Sequence, residues 1–436
     1  MKVDIGIIGL GTVGTGVYEV LKNNIGTIEE RIGGAFNVKK ICDKDESVLT
    51  DLDVNKEKFT SDYREIINDN SISLVVILTG NPDFAYRVIM DCFNSGKHVV
   101  TANKALMATK WRKIFNAARE TKSLIYFEAS VGSGIPVIQG INEGLAANRI
   151  TSVKGILNGT TNFILTKMSS SGYSFKKAMA EAVEAGFAEP DSSADIEGLD
   201  AAHKTAVLAN IIMPGPVNFK DIFYQGIENI NLKDIQFARE MFDFRLKLLS
   251  VIKVSRNEVE VRIHPAFLQP DDMLAGVNYE NNGILIEGDA AGPVMFYGKG
   301  AGSLPAASAV VSDIIYLAQK INYGIAGNIP YIHTDPERDT RVTNIGDLAF
   351  QYYVRFTTED KPGVLSKISG ILGNNDVSIA SCFQKGRSRM EEVPIVMVTH
   401  TAKEKALNKA LFTIDSLDVV KKKSVFIRID SEEEIF

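Results

Sequence analysis

Residues 3–17 read VDIGIIGLGTVGTGV. A short apolar run leads into Gly9-Leu10-Gly11-Thr12-Val13-Gly14, and residues with helical spacing follow. A GxGxxG that ends a strand and opens a helix is the arrangement that binds a dinucleotide. Gly9 permits the tight turn, Gly11 lets backbone approach a pyrophosphate, and Gly14 lets the helix pack on the strand. The helix N-terminus then offers free N–H groups and the positive end of its dipole to the phosphates. Alone the motif is weak, so its weight depends on what surrounds it.

What surrounds it is a strand–helix alternation. NVKKICD reads as a second strand, SLVVILTG as a buried one and DFAYRVIMDCFNSG as a helix. KHVVTANK is a strand with its exit loop, and SLIYFEASV closes the series. This predicts a doubly wound parallel sheet, a Rossmann domain over residues 1–130 completed by a helix at 303–325. Asp43, at the end of the second strand, is placed to bond the ribose 2′-OH of NAD. Lys39, Lys40 and Lys44 beside it offer charge to the 2′-phosphate of NADP, so both cofactors stay open with a lean to NAD.

Beyond that series the pattern changes. Residues 131–326 predict an α+β domain with a mixed sheet, and 327–347 a Pro/Gly/Asp-containing linker. Residues 348–436 run βαββαβ, the ferredoxin-like order. A chain of 436 residues is too long for one hydrophobic core, which agrees with such a division. Its 45% hydrophobic and 23% charged residues are those of a globular protein, and its net charge of −6 argues against nucleic acid. No apolar run reaches the ~20 residues of a membrane span, and the start, with Asp4 in its apolar run, is not a signal peptide. Three cysteines (Cys42, Cys92, Cys382) without CxxC spacing fit a reducing cytoplasm, and neither they nor the histidines suggest a transition-metal site.

Three further stretches carry chemistry. Lys104, in Thr101-Ala102-Asn103-Lys104, lies at a carboxyl end of the parallel sheet, where ligands bind. It faces substrate and nicotinamide there, or it merely caps a carbonyl. Glu128 to Pro136 (EASVGSGIP) is a loop whose backbone either approaches a ligand or cation through its carbonyls, or simply crosses over. In GFAEPDSSADIEGLDAAHK, residues 186–204, Asp200 and Lys204 are four apart and share a helix face. By itself that pair reads as a solvated ion pair before it reads as catalysis.

Taken together, GLGTVGTGV, GKHVVTANKALMA, FEASVGSGIPVI, ILNGTTNFILTKM, GFAEPDSSADIEGLDAAHK and YGKGAGSLPAASAVVSDI resemble the homoserine dehydrogenase family over residues 3–325. The resemblance implies reversible NAD(P)-dependent interconversion of L-homoserine and L-aspartate 4-semialdehyde in threonine and methionine biosynthesis. It implies that Lys204 is the proton donor and acceptor and Lys104 a second active-site lysine beside the nicotinamide. Glu189 and Asp200, with Asp195 close by, would hold the substrate amino group. Thr12, Val13 and a glycine of Gly300-Ala301-Gly302 would touch the cofactor. A monovalent cation such as sodium would sit in the loop of Glu128, Val131, Ser133 and Ile135. Aldehyde reduction needs a proton for the developing alkoxide, and a lysine ammonium supplies both field and proton. Its ordinary pKa of about 10.4 is high for a base, and repulsion between Lys104 and Lys204 is expected to offset the nearby carboxylates.

Three positions depart from the family pattern. Ile77-Leu78-Thr79-Gly80-Asn81 replaces an E-L-x-G-G-like run, Cys42 stands where many members have arginine, and Ser192 where a proline is usual. The tail, with Asp360-Lys361-Pro362-Gly363-Val364-Leu365, is similar to an ACT domain. That implies an amino-acid effector, L-threonine first, held at Asp360, Pro362, Gly363 and Val364. It also implies a homodimer or homotetramer, and the chain reads as monofunctional. A thioester-forming aldehyde dehydrogenase would need a cysteine within the substrate motifs. A non-catalytic dinucleotide and amino-acid sensor is the alternative from another class.

Overall fold

A computed structural model describes residues 2–47, 52, 54–189, 191–255, 258–384 and 392–431. The first unit contains β1 (Lys2–Ile8), α1 (Thr12–Asn23), β2 (Ala35–Cys42), β3 (Phe59–Thr60) and β4 (Ile72–Ile77). It continues with α2 (Pro82–Asn94), β5 (His98–Thr101), α3 (Lys104–Thr121) and β6 (Ile125–Tyr126). The strands are parallel in the order β3-β2-β1-β4-β5-β6. Ile5, Ile7, Leu74, Val75 and Val76 are fully buried, as expected of central strands covered on both faces. Strand order reverses between β1 and β4, which opens a crevice at their carboxyl ends. The glycine turn, Thr79–Gly80 and Asn103–Lys104 all leave the sheet there.

The second unit contains β7 (Ile150–Ile156), α4 (Gly159–Ser171), α5 (Leu199–Ile212), α6 (Leu232–Phe242), β8 (Arg245–Val254) and β9 (Glu258–Leu268). Then come β10 (Asn281–Gly288), β11 (Gly292–Lys299) and α7 (Ser303–Asn322). Helix α7 returns to the first sheet: Ser303 Oγ donates to Thr12 O at 2.7 Å and Gln319 Nε2 to Arg31 O at 2.6 Å. The tail supplies β12 (Ala349–Thr358), α8 (Val364–Gly373), β13 (Ile379–Gln384), β14 (Val393–Thr399), α9 (Glu404–Asp415) and β15 (Val420–Ile429).

The tail strands are antiparallel in the order β15-β12-β14-β13, with α8 and α9 covering one face. They do not form an isolated sheet. Strand β15 pairs in parallel with β9 (Ala266 with Arg428, Phe267 with Ile429), giving one sheet ordered β11-β10-β7-β8-β9-β15-β12-β14-β13. Buried ion pairs reinforce the seam. Asp234 on α6 takes Arg355 Nε at 2.5 Å and Nη2 at 2.9 Å, and Tyr353 OH donates to it at 3.0 Å. Lys154 on β7 meets Asp430 at 2.7 Å. The stretch expected as a linker lies along α3, where Asn116 Nδ2 donates to Glu337 at 2.6 Å and Arg112 pairs with Asp339 at 2.5 Å. These contacts join residues more than 100 positions apart, beyond the reach of local pattern.

Candidate active site

The crevice widens into a cleft of about 830 Å³ between the first sheet and the helices of the second unit. Its cofactor side is the glycine turn. Gly9 has φ +101°, and a Cβ on Gly14 would fall 2.1 Å from Gly9 O, so side chains are barred at both. A Cβ on Gly11 would meet nothing within 4 Å, leaving that backbone open to the cleft. This cradle fits a dinucleotide pyrophosphate. Asp43 lies beside it, and Leu10 N–H donates to its Oδ2 at 2.5 Å, so the acid also braces the turn. Two of the lysines expected near a 2′-phosphate are engaged elsewhere: Lys39 pairs with Asp69 at 2.7 Å and Lys40 with Glu65. Lys44 stays exposed at the strand end.

On the substrate side, α5 is buried around most of its circumference, including Ala201, Ala202, Val207 and Leu208. Asp200 and Lys204 therefore form no solvated surface pair. Their side chains are 6% and 10% exposed and meet at 2.8 Å. Lys104 enters from the first residue of α3 and reaches the other Asp200 oxygen at 2.5 Å, its side chain 43% exposed to the cleft. Asn103 aims it, accepting from Leu106 N at 3.0 Å as helix cap and donating to Thr79 O at 3.0 Å. Lys204 Nζ also donates to Leu157 O at 2.7 Å.

Asn158, which received no role from the sequence, completes the cluster. It caps α4 by accepting from Thr161 N at 2.8 Å. Its Nδ2 donates to Asp195 Oδ1 at 2.6 Å and Asp200 Oδ2 at 2.8 Å. The available signal was an Asn ahead of Gly-Thr-Thr, a helix N-cap pattern. Glu189 lies exposed on the cleft wall, and Pro190 lies outside the described residues. Ser192 is buried, its hydroxyl 3.9 Å from Met179 Sδ.

The charges divide. Burial pulls the Lys204 ammonium below its ordinary value, which the Asp200 charge only partly restores, and Lys104 lowers it further. For Lys104 burial also acts downward, but Asp200, Asp195 and Glu189 outweigh it and its pKa rises. Burial works against the Asp200 carboxylate, yet Lys204 and Lys104 hold it well below the usual range. Burial and the neighbouring Asp200 charge raise Asp195. The expected balance by lysine–lysine repulsion is thus corrected, since desolvation of the more deeply buried lysine dominates. His203 stacks on Phe219 with ring centroids 4.8 Å apart.

Within the departing run, Asn81 has a local role. Asn81 caps α2 by accepting from Phe84 N at 2.9 Å, while Thr79 Oγ1 is buried without a partner among the described residues. Ser130 and Ser133 hydroxyls are likewise buried and unpartnered, and all three residues line the cleft. In the adjoining loop, Ser133 has φ +54°. The Glu128 carbonyl already accepts from Val131 N at 3.3 Å and that of Ile135 from Val137 N at 2.8 Å. The Glu128 carboxylate turns inward, taking Ile138 N and Gln139 N at 2.8 Å each. Burial pushes it up to about 7, those backbone donors offsetting part of the effect. Among the described residues no group of three or more His, Cys, Asp or Glu is arranged for a metal.

None of the three cysteines lines the cleft. Burial pushes Cys42 up to about 11, and Cys382 is on β13 in the tail. In the tail, Gly363 has φ +88° at the start of α8, and Asp360 Oδ1 accepts from Gln384 Nε2 at 3.4 Å. No helix among the described residues is long and apolar enough to cross a membrane.

Comparisons with known proteins agree on one family. The family model described as homoserine dehydrogenase, NAD binding domain, matches residues 9–128, and that described as homoserine dehydrogenase matches residues 136–315. Homoserine dehydrogenase of Neisseria gonorrhoeae is 36% identical over 431 residues, covering 98% of this chain and 99% of that protein. The Bacillus subtilis enzyme is 34% identical over 429 residues, covering 98% of each. The crystal structure of a homoserine dehydrogenase from Thiobacillus denitrificans superposes with a TM-score of 0.93 at 36% identity, covering 99% of this chain and 98% of that one. That of the Staphylococcus aureus enzyme superposes with a TM-score of 0.77 at 28% identity, covering 99% of each.

Proposed function

This chain belongs to the homoserine dehydrogenase family, and from that premise we propose that Lys204 is the proton donor and acceptor for its NAD(P)-dependent oxidoreduction. The reaction interconverts L-homoserine and L-aspartate 4-semialdehyde. The observation that carries the assignment is the buried Lys204–Asp200–Lys104 cluster in the same cleft as the glycine turn. A dinucleotide held at the glycine turn would supply the hydride chemistry at the substrate's terminal carbon.

Lys204 gives its proton to the alkoxide in reduction and takes one from the hydroxyl in oxidation, helped by its lowered pKa. Lys104, held positive, stabilises the developing oxyanion from the nicotinamide side. Glu189 and Asp200, with Asp195, receive the substrate ammonium. Initial rates with homoserine and each cofactor test this. Turnover lost in Lys204→Ala with dinucleotide binding retained is the expected result. Tight dinucleotide binding without turnover of homoserine in the wild type would favour a sensor instead.

The residues supporting NAD over NADP are Asp43 and the engagement of Lys39 and Lys40. We assign residues 1–130 with helix 303–325 to cofactor binding, 131–326 to catalysis and dimerisation, 327–347 to the connection and 348–436 to regulation. The tail's ferredoxin-like order and the turn at Asp360, Pro362, Gly363 and Val364 support an ACT domain responding to L-threonine. A monovalent cation such as sodium would use carbonyls of the Glu128–Ile135 loop, with Val131 and Ser133 the freer donors. A cytoplasmic homodimer or homotetramer, serving threonine and methionine synthesis, completes the reading. Adding threonine to the rate assay tests the regulation, and a rate unmoved by it would remove that part.

A further inference from the structure

The phosphate cradle has an electrostatic gap. Neither the turn Gly9–Gly14 nor the first turn of α1 carries a basic side chain; the first basic residue on that helix is Lys22, in its last turn. Two pyrophosphate charges would rest on backbone N–H groups and the helix dipole alone. Three lysines line the cleft, Lys104, Lys204 and Lys299, and the first two are bound to Asp200. Lys299 is exposed, and its ammonium has no hydrogen-bond or ion-pair partner among the described residues.

Its placement follows from the fold. Lys299 ends β11, and Gly300-Ala301-Gly302 leads directly into α7, whose Ser303 Oγ donates to Thr12 O at 2.7 Å. The strand end is therefore fastened, within four residues, to the first residue of α1. The backbone is also held from beneath. A Cβ on Gly300 would lie 2.0 Å from the Asn282 Cγ and Nδ2, so the Asn282 amide covers that face. Asn282 is itself fully buried with neither amide atom partnered. Asn281 is the register partner of Lys299, and the adjacent Glu280 lines the cleft against Gly159.

We infer that Lys299 is a positioning cation for the pyrophosphate shared by both dinucleotides, in the cleft it lines together with the start of α1. The assignment rests on the NAD(P) reading of the cleft. Binding of NADH and of NADPH, each without homoserine, is measured by fluorescence titration at low ionic strength for wild type, Lys299→Gln and Lys299→Arg. Lys299→Gln is expected to raise both dissociation constants by the same factor, roughly tenfold for one charge-assisted bond. Lys299→Arg is expected to stay within about twofold of wild type, because the charge is kept. The exposed position leaves folding intact, checked by an unchanged melting temperature. Unchanged dissociation constants in Lys299→Gln would overturn the proposal. So would a loss confined to NADPH, which places the lysine on the 2′-phosphate, or intact binding with a raised KM for homoserine. A wild type that bound neither nucleotide would overturn the cofactor reading along with it.

Discussion

Lys104 and Lys204 hold opposite oxygens of the Asp200 carboxylate, at 2.5 Å and 2.8 Å. One carboxylate thus holds two ammonium groups side by side in the cleft. Their surroundings differ, because Lys204 is desolvated while Lys104 opens to the cleft beside Asp195 and Glu189. Their pKa values are pushed in opposite directions, the pattern on which the proposed division between proton transfer and charge stabilisation rests.

In the proposed role, homoserine oxidation calls for a neutral Lys204 and aldehyde reduction for a charged one. Burial lowers this lysine from its ordinary value of 10.5. The rising limb of kcat for oxidation is therefore expected below the usual lysine range. Lys204→Ala should abolish that limb and lose about 10²- to 10⁴-fold in kcat. A pH profile of initial rates decides it, and near-wild-type turnover in the variant would refute the assignment.

Asp200→Asn removes the charge that holds Lys104 up. Both lysine pKa values then fall, and the oxidation limb moves to lower pH while kcat/KM drops by about 10²-fold. Stability responds as well. The folded-state pKa of Asp200 lies below its unfolded value, so its contribution is present above about pH 4 and is lost as pH falls through the folded pKa. Denaturant titrations at neutral pH and in acid should show the variant's deficit shrinking in acid.

Glu128 and Asp313 behave in the opposite sense. Burial raises both carboxyl groups, Glu128 to about 7, and Asp313 Oδ2 accepts the Glu128 N–H at 2.8 Å. A raised carboxyl pKa favours the folded state below the unfolded value of about 4.3 and loses that advantage as pH climbs through 7. Melting temperature should therefore fall between pH 5 and pH 8, with Glu143 charge adding to the effect. Glu128→Gln should flatten the dependence. Sodium should blunt the fall at pH 8 if the adjoining loop holds a cation, and calorimetry with and without the salt reads both.

Asp234→Ala leaves the Arg355 guanidinium at the seam without its carboxylate. Removing one partner of a buried pair costs about 3–5 kcal/mol. Chemical denaturation of Asp234→Ala should show a loss of that size. The double variant Asp234→Leu with Arg355→Met should recover most of it, since two apolar groups leave no buried charge. An equal loss in both would assign the effect to packing instead.

Much of this molecule was legible in one dimension. Gly9, Gly11 and Gly14 announced the cradle because turn geometry and helix capping depend on near neighbours. The exit of β5 at Lys104 followed from strand alternation, and the spacing of Asp200 and Lys204 put them on one helix face. The βαββαβ order of the tail was likewise readable from periodicity. Tertiary packing decided the rest. Whether Asp200 and Lys204 were solvated depended on what surrounds α5, and only the assembled core buries them. Lys39 and Lys40 looked available to a 2′-phosphate until Asp69 and Glu65 came beside them. Asn158 and the β9–β15 seam matter through partners distant in sequence. Local sequence sets periodicity, turns and caps through short-range sterics and hydrogen bonds, whereas burial and charge pairing arise only when remote segments exclude water together.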